Sequence, residues 1–435
     1  MNKPITATII GAGARGRNSY GLRMLKRPEC IKVVAAAEID ANKLKIIGDE
    51  HNIPNEMRFN SGEELLEREK LSDILFICVQ DRQHFDMAMK ALDKGYDLIV
   101  EKPISPDLAE CKNLAKKAEE CGRKVLVCHV LRYTPFYKKI KEIIDSGAIG
   151  EVMTVNAEEG VGYWHQAHSF VRGNWRNSVE SSPMILAKSC HDMDILLWLI
   201  DKKCKKVSSF GSLKYFKESN APQGSADRCC NCPDEIKANC PYEVTKFYID
   251  GPIGLKNGYY GWSRKVVNGI DPTIENVTEA LKTGPYGRCV YKCDNDVVDN
   301  QVVNMLLEDD VTVNFTMSAF SKDPNRTIKV RGSLGEIIGD WGEDSIIVTE
   351  FGKKSVEYHP NKDSLVDGTS DTGGHGGGDG GLINAIIDLF GNGIVSKSVT
   401  YIDRSIESHF VALAAEESRC NNGLLIDMDE FSERF

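Results

Sequence analysis

The sequence lacks several features that would point to a membrane, to export or to nucleic acid. It has no run of eighteen or more apolar residues, as a membrane-spanning helix requires, and no signal-peptide pattern at its N-terminus. It has no long lysine and arginine block, and 54 basic residues against 64 acidic ones leave a net charge of −10. A protein that binds the phosphate backbone of nucleic acid needs a basic face. We therefore expect a cytoplasmic protein whose partner is a small molecule, neither nucleic acid nor a membrane.

Disulfide bonds are also not expected, although the chain contains 14 cysteines. Most of the cysteines lie singly in apolar segments, for example Cys78 in "DILFICV" and Cys128 in "VLVCHV". Such cysteines are typical of buried free thiols. With 435 residues, of which 41% are hydrophobic, the chain is long enough for two domains with separate cores.

The first 130 residues alternate short β-rich runs with amphipathic stretches. The strand candidates are "ATIIG", "IKVVAAAE", "DILFICV", "DLIVEKP" and "KVLVCHV". Alternating strands and helices predict a doubly wound parallel sheet of the Rossmann type. From 131 to 435 the pattern changes to strand-rich segments and predicts an α+β domain with an open, largely antiparallel sheet. A loop-rich insertion rich in Gly, Pro and Cys occupies about 214–290 and has no periodic core pattern.

The segment "ATIIGAGARG" places a glycine cluster between a strand and a helix, which is the setting of a dinucleotide-binding turn. Gly11 permits the tight turn, Gly13 the close approach of a pyrophosphate, and Gly16 the packing of helix on strand. The helix N-terminus then offers free N–H groups to phosphate. The predicted cofactor contacts of this turn are Gly11, Gly13, Ala14, Arg15 and Gly16.

An acidic residue follows the second strand, in "VVAAAEID", at the position that binds the adenosine ribose hydroxyls. We assign this role to Glu38, with Asp40 as the alternative. A carboxylate there repels a 2′-phosphate and favours NAD over NADP, although Arg15 and Arg17 are positioned to neutralise such a phosphate.

The segment "LIVEKPIS" carries Glu101 and Lys102 out of a parallel strand. Ligands of open α/β sheets bind beyond the carboxyl ends of the strands. Both residues are therefore predicted to reach the cofactor crevice. A desolvated lysine there is suited to handling a hydroxyl proton.

Together, "GAGARG", the acid after the second strand and "EKP" resemble the Gfo/Idh/MocA family of NAD(P)-dependent sugar and polyol oxidoreductases. "LRY" at 131–133, "NWR" at 174–176 and a helix carrying "HDMD" extend the resemblance through most of the chain. The resemblance implies that Lys102 lies beside the nicotinamide and the reacting carbon, and that Trp175 and Arg176 line the nicotinamide pocket. It also implies a homodimer or homotetramer formed through the open sheet of the second domain.

The segment "SSPMILAKSCHDMD" predicts a helix from Ser181 to Ile200, capped by Ser181 or Ser182 with Pro183 at its first position. Lys188 and His191 are three residues apart and share one face. The family commonly has an Asp four residues before its catalytic His, where this chain has Ala187. Lys102, His191 and Lys188 are therefore the catalytic candidates. A histidine with a purely structural role is the alternative.

The insertion contains Cys229 and Cys232 in C-x-x-C spacing, followed by Cys240. A structural zinc ion would organise such a loop-rich segment once a fourth ligand arrives. Cys289 is our choice for that ligand, and Cys293 is the alternative. Free thiols or an occasional disulfide remain open.

The segment "GGHGGGDGGL" presents His375 and Asp379 on glycines directly before a helix, and we interpret it as a loop at the mouth of the active site. "YWHQAHS" offers aromatic and imidazole side chains that suit a sugar. The candidate substrate contacts are Arg132, Tyr163, His165, His375 and Asp379.

The predicted function is hydride exchange between NAD(P) and a carbinol of a sugar, inositol or related glycoside. Two alternatives remain. Some relatives cleave glycosides by transient NAD-dependent oxidation and elimination, and others act as cofactor-binding regulators without turnover.

Overall fold

The computed structural model describes residues 3–261, 263, 265, 267, 272–366 and 374–435. Residues 262, 264, 266 and 268–271 of the predicted insertion lie outside the described residues. The same holds for 371–373 at the start of the predicted glycine–histidine loop.

The first sheet has six parallel strands in the order β3-β2-β1-β4-β5-β6, the order of a Rossmann fold. Its strands are β1 (Ile5–Ile10), β2 (Ile31–Ala37), β3 (Arg58–Phe59), β4 (Ile74–Ile77), β5 (Asp97–Val100) and β6 (Val125–Val127). The predicted doubly wound sheet is confirmed. The additional strand β3 has only two residues, too few to produce a pattern in the sequence.

The connecting segments of this sheet are helical. They contain α1 (Leu22–Met24), α2 (Ala41–Glu50), α3 (Gly62–Leu66), α4 (His84–Asp93) and α5 (Leu108–Glu120). A π-helical segment, Ala14–Gly21, leads from the glycine turn into α1. Asp40 and Asp107 cap α2 and α5 through their carboxylates, which satisfies N–H groups that the helices leave free.

The second sheet has nine strands in the order β14-β13-β12-β11-β7-β10-β9-β8-β15. They are β7 (Val152–Gly160), β8 (Cys204–Ser212), β9 (Asn300–Leu307), β10 (Thr312–Ser318), β11 (Asn325–Gly332), β12 (Gly335–Asp340), β13 (Ser345–Glu350), β14 (Val356–Tyr358) and β15 (Ile426–Asp427). Neighbouring strands are antiparallel except for the parallel pair β7 and β10. This confirms the predicted open, largely antiparallel sheet.

Helices cover one face of the second sheet. In chain order, the helices of the described residues after β6 are α6 (Pro135–Asp145), α7 (Tyr163–His165), α8 (Met184–Ala187), α9 (Cys190–Ile200), α10 (Asp234–Asn239), α11 (Ile274–Thr283), α12 (Pro360–Val366), α13 (Gly378–Ile386), α14 (Ile402–Cys420) and α15 (Met428–Glu433), and not all of them contact this sheet. Helices α9 and α14 supply much of the apolar core against this sheet. Within the described part of the chain, no helix is both long and apolar enough to span a membrane.

The predicted helix from Ser181 to Ile200 is instead two helices, α8 and α9, separated at Lys188 and Ser189. The predicted caps are also wrong. The hydroxyls of Ser181 and Ser182 donate to a carboxylate from the first sheet rather than capping α8, and Pro183 precedes the first helical residue. Tertiary partners outside the segment therefore override its local start signal.

The chain returns to the first sheet near its C-terminus. Leu382, Ile383 and Ile386 of α13 are buried in the core of that sheet, and Tyr401 forms a β-bridge to Leu126. This return brings the segment that begins at His375 against the glycine turn.

The insertion forms an apolar cluster of its own, although its sequence shows no periodic core pattern. Phe247, Tyr248, Val277, Leu281 and Tyr286 are buried together there. Aromatic side chains bury large areas individually, so a small core forms without helical or strand periodicity.

Candidate active site

The three glycines of the turn have different surroundings. Gly11 has a φ of 91°, and a Cβ there would lie 2.4 Å from the carbonyl oxygen of Cys78. A Cβ at Gly16 would lie 2.0 Å from the carbonyl oxygen of Gly11, whereas a Cβ at Gly13 would meet nothing within 4 Å. Gly11 and Gly16 therefore leave no room for a side chain, whereas Gly13 faces open space beside the N-terminus of the following helix. This arrangement fits a dinucleotide pyrophosphate.

The two acidic candidates after β2 have different partners. The Glu38 carboxylate accepts a hydrogen bond from the Ala12 backbone N–H inside the glycine turn, at 2.7 Å. The Asp40 carboxylate accepts from the backbone of Asn42 and Lys43, at 2.9 and 3.2 Å. Asp40 is thus engaged in capping α2, and Glu38 is the acid that lies at the turn.

Arg15 connects the glycine turn to two other predicted motifs. Its Nε donates to Glu101 at 2.7 Å, and its guanidinium pairs with Asp379 at 3.0 Å. Tyr20 donates its hydroxyl to Glu101 at 2.5 Å. Burial alone raises the pKa of Glu101, but the Arg15 charge and the Tyr20 hydrogen bond outweigh it, so that the pKa is lowered. The "GAGARG", "EKP" and "GGHGGGD" segments therefore meet in one ionised cluster.

Lys102 lies at the crevice between the two sheets. Its Nζ donates to the carbonyl oxygen of Ala187 at 2.7 Å, at the position where the family carries an acid. The backbone N–H of Ile104 donates to Nε2 of His409 at 2.8 Å. That contact secures the loop carrying Lys102 to α14.

His191 is buried, with 5% of its surface exposed, at the start of α9. The centroids of the His129 and His375 rings lie 5.8 and 5.9 Å from its own, and its Nδ1 has no hydrogen-bond partner among the described residues. Burial, with the Lys102 charge as the next contribution, lowers its pKa well below the usual value. A neutral imidazole able to accept a proton is therefore present at neutral pH.

Lys188 does not share a continuous helical face with His191, because the chain breaks between α8 and α9. Its ammonium pairs with Glu159 on β7, 2.8 Å away. Arg326 also pairs with Glu159 and, at 2.7 Å, with Asp192. Glu159 on β7 and Arg326 on β11 were not predicted from the sequence, since an isolated charged residue on an alternating strand looks like a solvent-exposed one. Two strands, the start of α9 and the break before it therefore build a buried charge network behind the site.

Trp175 and Arg176 diverge from one another. The Trp175 indole donates to the buried carboxylate of Asp81 at 3.3 Å, just beyond the carboxyl end of β4. Arg176 pairs with Asp294 at 2.8 Å and with Glu180 at 2.9 Å. Asp81 also accepts hydrogen bonds from two serine hydroxyls and was not singled out from the sequence. Only the tryptophan of the pair is held at the crevice of the first sheet.

The predicted substrate contacts have different surroundings. Arg132 is buried in a bidentate ion pair with Asp194, with distances of 2.7 and 2.5 Å. His375 lies 3.1 Å from Asp379 and beside Arg15, which places the predicted mouth loop at the crevice. The other two candidates lie on α7: the ring of Tyr163 contacts that of Tyr242, and His165 stacks on Trp164.

The four predicted zinc ligands, Cys229, Cys232, Cys240 and Cys289, line one small cavity with Arg172. All fourteen cysteines are free thiols. Across the described ranges, however, no group of three or more His, Cys, Asp or Glu side chains is arranged to hold a metal ion. The structure therefore does not support the predicted zinc.

Known proteins are similar to this chain in sequence. The putative oxidoreductase YteT of Bacillus subtilis is 25% identical over 327 residues, which span 73% of this chain and 72% of YteT. Inositol 2-dehydrogenase of Salmonella typhimurium is 24% identical over 207 residues, which span 47% of this chain and 57% of that enzyme.

The fold is also similar to solved structures. An inositol dehydrogenase homolog from Azotobacter vinelandii, complexed with NAD+, superposes with a TM-score of 0.68 at 15% identity, and the match covers 98% of each chain. An oxidoreductase from Agrobacterium radiobacter in complex with NAD+, L-tartaric acid and magnesium gives a TM-score of 0.67, also at 15% identity, covering 98% of this chain and 99% of that one.

Two family models match the chain directly. The model described as an oxidoreductase family with an NAD-binding Rossmann fold matches residues 5–129. The GFO/IDH/MocA C-terminal domain matches 137–233. The chain belongs to the Gfo/Idh/MocA family of oxidoreductases, whose N-terminal domain is an NAD-binding Rossmann fold.

Proposed function

We propose that this protein is an NAD-dependent dehydrogenase that oxidises a secondary hydroxyl of an inositol, a sugar or a related polyol. The observation that carries the proposal is the meeting of Lys102 and His191 at the crevice beyond the glycine turn. Lys102 donates to the backbone carbonyl of Ala187, at the end of the helix that precedes α9, and its charge acts on the His191 imidazole. The similarity to inositol 2-dehydrogenases supports a cyclic polyol as the substrate class.

The residues of the turn fit NAD better than NADP. Glu38 is held within the turn, where a 2′-phosphate would meet its negative charge. The two arginines nearby that would neutralise such a phosphate have other partners. Arg15 is engaged by two carboxylates, and Arg17 donates to Glu50 at 2.8 Å. Gly13 and the helix that follows would hold the pyrophosphate, and Glu38 the ribose hydroxyls.

The two central residues divide the chemistry of the hydroxyl. Lys102 has two ammonium protons left after its bond to Ala187, and it binds the carbinol oxygen and stabilises its developing negative charge. His191, neutral because it is buried, accepts the hydroxyl proton at its outer nitrogen. Bound NAD+ supplies the acceptor for the hydride from the carbinol carbon. Trp175, anchored by Asp81, closes one side of the nicotinamide pocket and excludes water.

Absorbance and product release measured together test the proposal. The purified protein is supplied with NAD+ and a panel of inositols, sugars, sugar acids and aryl glycosides, and NADH and free aglycone are followed separately. Net NADH that requires the polyol supports the dehydrogenase. Aglycone without net NADH supports transient oxidation and glycosidic cleavage instead. Tight NAD binding without either product leaves a cofactor-binding regulator and contradicts the proposal.

We also propose that the protein forms a homodimer or homotetramer through the second sheet. On β10 the side chains of Val313, Phe315 and Met317 are buried, whereas those of Thr312 and the alternate residues face the other side. The second face of an antiparallel sheet is available for association when helices cover only the first. Light scattering during size-exclusion chromatography measures the mass, and a monomer of 48.3 kDa would contradict the assembly.

A further inference from the structure

His129 is a fully buried imidazole with unmet hydrogen-bonding capacity. None of its surface is exposed, and neither ring nitrogen has a hydrogen-bond partner in the described structure. A neutral imidazole carries one donor and one acceptor, and buried polar groups are nearly always paired. A buried imidazole with both nitrogens unpaired therefore needs a physical explanation other than packing.

The surroundings of His129 connect it to the proposed base. The rings of His191 and His409 lie edge-on to it, with centroids 5.8 and 5.7 Å away. A carboxylate oxygen of Asp194 lies 3.9 Å from Nε2 of His129. His409 has its own partners, since its Nε2 accepts from Ile104 and its Nδ1 lies 3.2 Å from the carbonyl oxygen of Ser405. The groups available to His129 are therefore His191 and Asp194.

His191 has a matching requirement. Its Nδ1 is buried without a hydrogen-bond partner in the part of the chain that the structure describes, and the position at which the family carries an acid is Ala187. Once His191 accepts a proton at its outer nitrogen, its Nδ1 proton needs an acceptor inside the protein. The His129 ring, whose centroid lies 5.8 Å from that of His191, is a neighbouring imidazole with both nitrogens unpaired among the described residues.

We propose that His129 and Asp194 form an inner proton path behind His191, replacing the acid that is absent at Ala187; this inference rests on the proposed dehydrogenation. The hydroxyl proton of the substrate moves to the outer nitrogen of His191, and the Nδ1 proton of His191 passes to His129. The proton at the second nitrogen of His129 then moves to Asp194. The hydride goes to NAD+, so that the substrate loses one hydride and one proton. A small ring rotation or one bridging water closes each gap.

The charges around His129 suit the transfer of a proton from His191 to Asp194. Burial, with Arg132 and Lys102 as further contributions, lowers its pKa well below the usual value, so the ring rests neutral. Burial raises the pKa of Asp194 despite its ion pair with Arg132, which makes it a better proton acceptor than an exposed carboxylate. The charged and titratable groups that face His129 come from four elements and are His191, Asp194, Arg132, Lys102, Glu101 and His409.

Kinetics of His129→Phe test the path, because phenylalanine keeps the ring volume and removes both nitrogens. We expect kcat to fall about 100-fold, the lower end of what a positioned acid or base contributes, with little change in KM. The solvent deuterium isotope effect should rise as proton transfer limits turnover, and the isotope effect of substrate deuterated at the reacting carbon should fall. The smaller variant His129→Ala should regain activity when free imidazole is added.

A matched control and a substrate-free measurement separate the possible outcomes. His51→Phe alters another buried histidine, whose Nε2 has no hydrogen-bond partner among the described residues, and should leave the isotope effects and pH profile as in the wild type.

Nitrogen NMR of the histidine rings in the NAD complex should show the His191 pKa falling in His129→Phe, because its inner acceptor is lost. If the wild type oxidises no polyol, the proposed dehydrogenase function is wrong. The NMR titration still tests the proton path between His191 and His129 in that case. Wild-type kcat and isotope effects in a folded His129→Phe enzyme overturn the path.

Discussion

The ammonium of Lys102 donates a hydrogen bond to the carbonyl oxygen of Ala187, 2.7 Å away. One residue comes from the loop after β5 and the other from the end of α8. The contact joins the dinucleotide-binding half of the site to the half that carries His191. It uses the backbone of Ala187, so the missing side-chain acid does not separate the lysine from the helix.

Replacement of Lys102 by alanine should lower kcat by about 100-fold or more, the range expected for a group that stabilises a developing charge or moves a proton. NAD binding, measured by calorimetry, should change little because the glycine turn and Glu38 are untouched. Lys116→Ala, on the exposed side of α5, is the matched control and should behave as the wild type. Full activity of the Lys102 variant would remove this lysine from the chemistry.

Replacement of Glu38 by alanine should relax the preference for NAD over NADP, since the carboxylate that repels a 2′-phosphate is lost. The ratio of the two kcat/KM values measures this preference. Asp40→Ala provides the comparison: it removes the cap of α2 and should cost about 1 kcal/mol of stability without changing the ratio. A ratio that changes in the Asp40 variant and not in the Glu38 variant would reverse the assignment.

Replacement of Asp81 by alanine should loosen the wall formed by Trp175. Three donors, the Trp175 indole and the hydroxyls of Ser181 and Ser182, lose their shared acceptor in a buried setting. Each such loss costs about 1–3 kcal/mol, so urea unfolding should show a loss of about 3 kcal/mol, and the Kd for NAD should rise. Ser181→Ala removes only one donor and should have a much smaller effect. Equal stability of the two variants would contradict the shared-acceptor role.

The Asp192 carboxyl should make the folding stability depend on pH. Burial, and the neighbouring Glu159, raise its pKa to about 7 although Arg326 opposes the shift. The folded state therefore holds a proton that the unfolded chain releases near pH 4. Stability from this group is present below that pH and declines as the pH rises toward 7.

Asp192→Asn removes this titration while keeping the shape of the side chain. Its free energy of unfolding, measured in urea between pH 4 and 8, should fall less with rising pH than that of the wild type. Glu159→Gln is unsuitable as a control, because it would remove the carboxylate that pairs with Lys188. Asp294→Asn is a suitable control, since the Asp294 carboxylate that pairs with Arg176 and Arg288 is half exposed. Parallel curves for the wild type and Asp192→Asn would show that Asp192 does not titrate in this range.

The parallel, doubly wound character of the first sheet and the position of the nucleotide turn could be predicted from local pattern. A glycine with positive φ such as Gly11, a buried apolar strand and a capped helix each depend on nearby residues, and such signals are visible along the chain. The two-residue strand β3 and the break at Lys188 and Ser189 were not predictable. The first is too short for periodicity, and the second results from partners on other elements.

The candidate site was predictable only in part. Lys102, His191, His375 and Asp379 were identified, because their motifs or spacing set them apart. Asp81, Glu159 and His129 were not, because nothing in their immediate sequence distinguishes them from ordinary polar residues. Their roles come from contacts with residues far away along the chain, up to the 167 positions between Glu159 and Arg326, which no local pattern encodes. The apolar cluster of the insertion was missed for the same reason.

The doubly wound sheet, the glycine turn and the family to which the chain belongs follow from the amino-acid sequence alone, because strand, turn and helix preferences act over a few neighbouring residues. The packing of the folded chain sets which carboxylate partners which cation. It paired Lys188 with Glu159, Arg132 with Asp194 and Arg15 with Glu101. A buried charge is stable only beside an opposite one, and burial is a property of the packed chain.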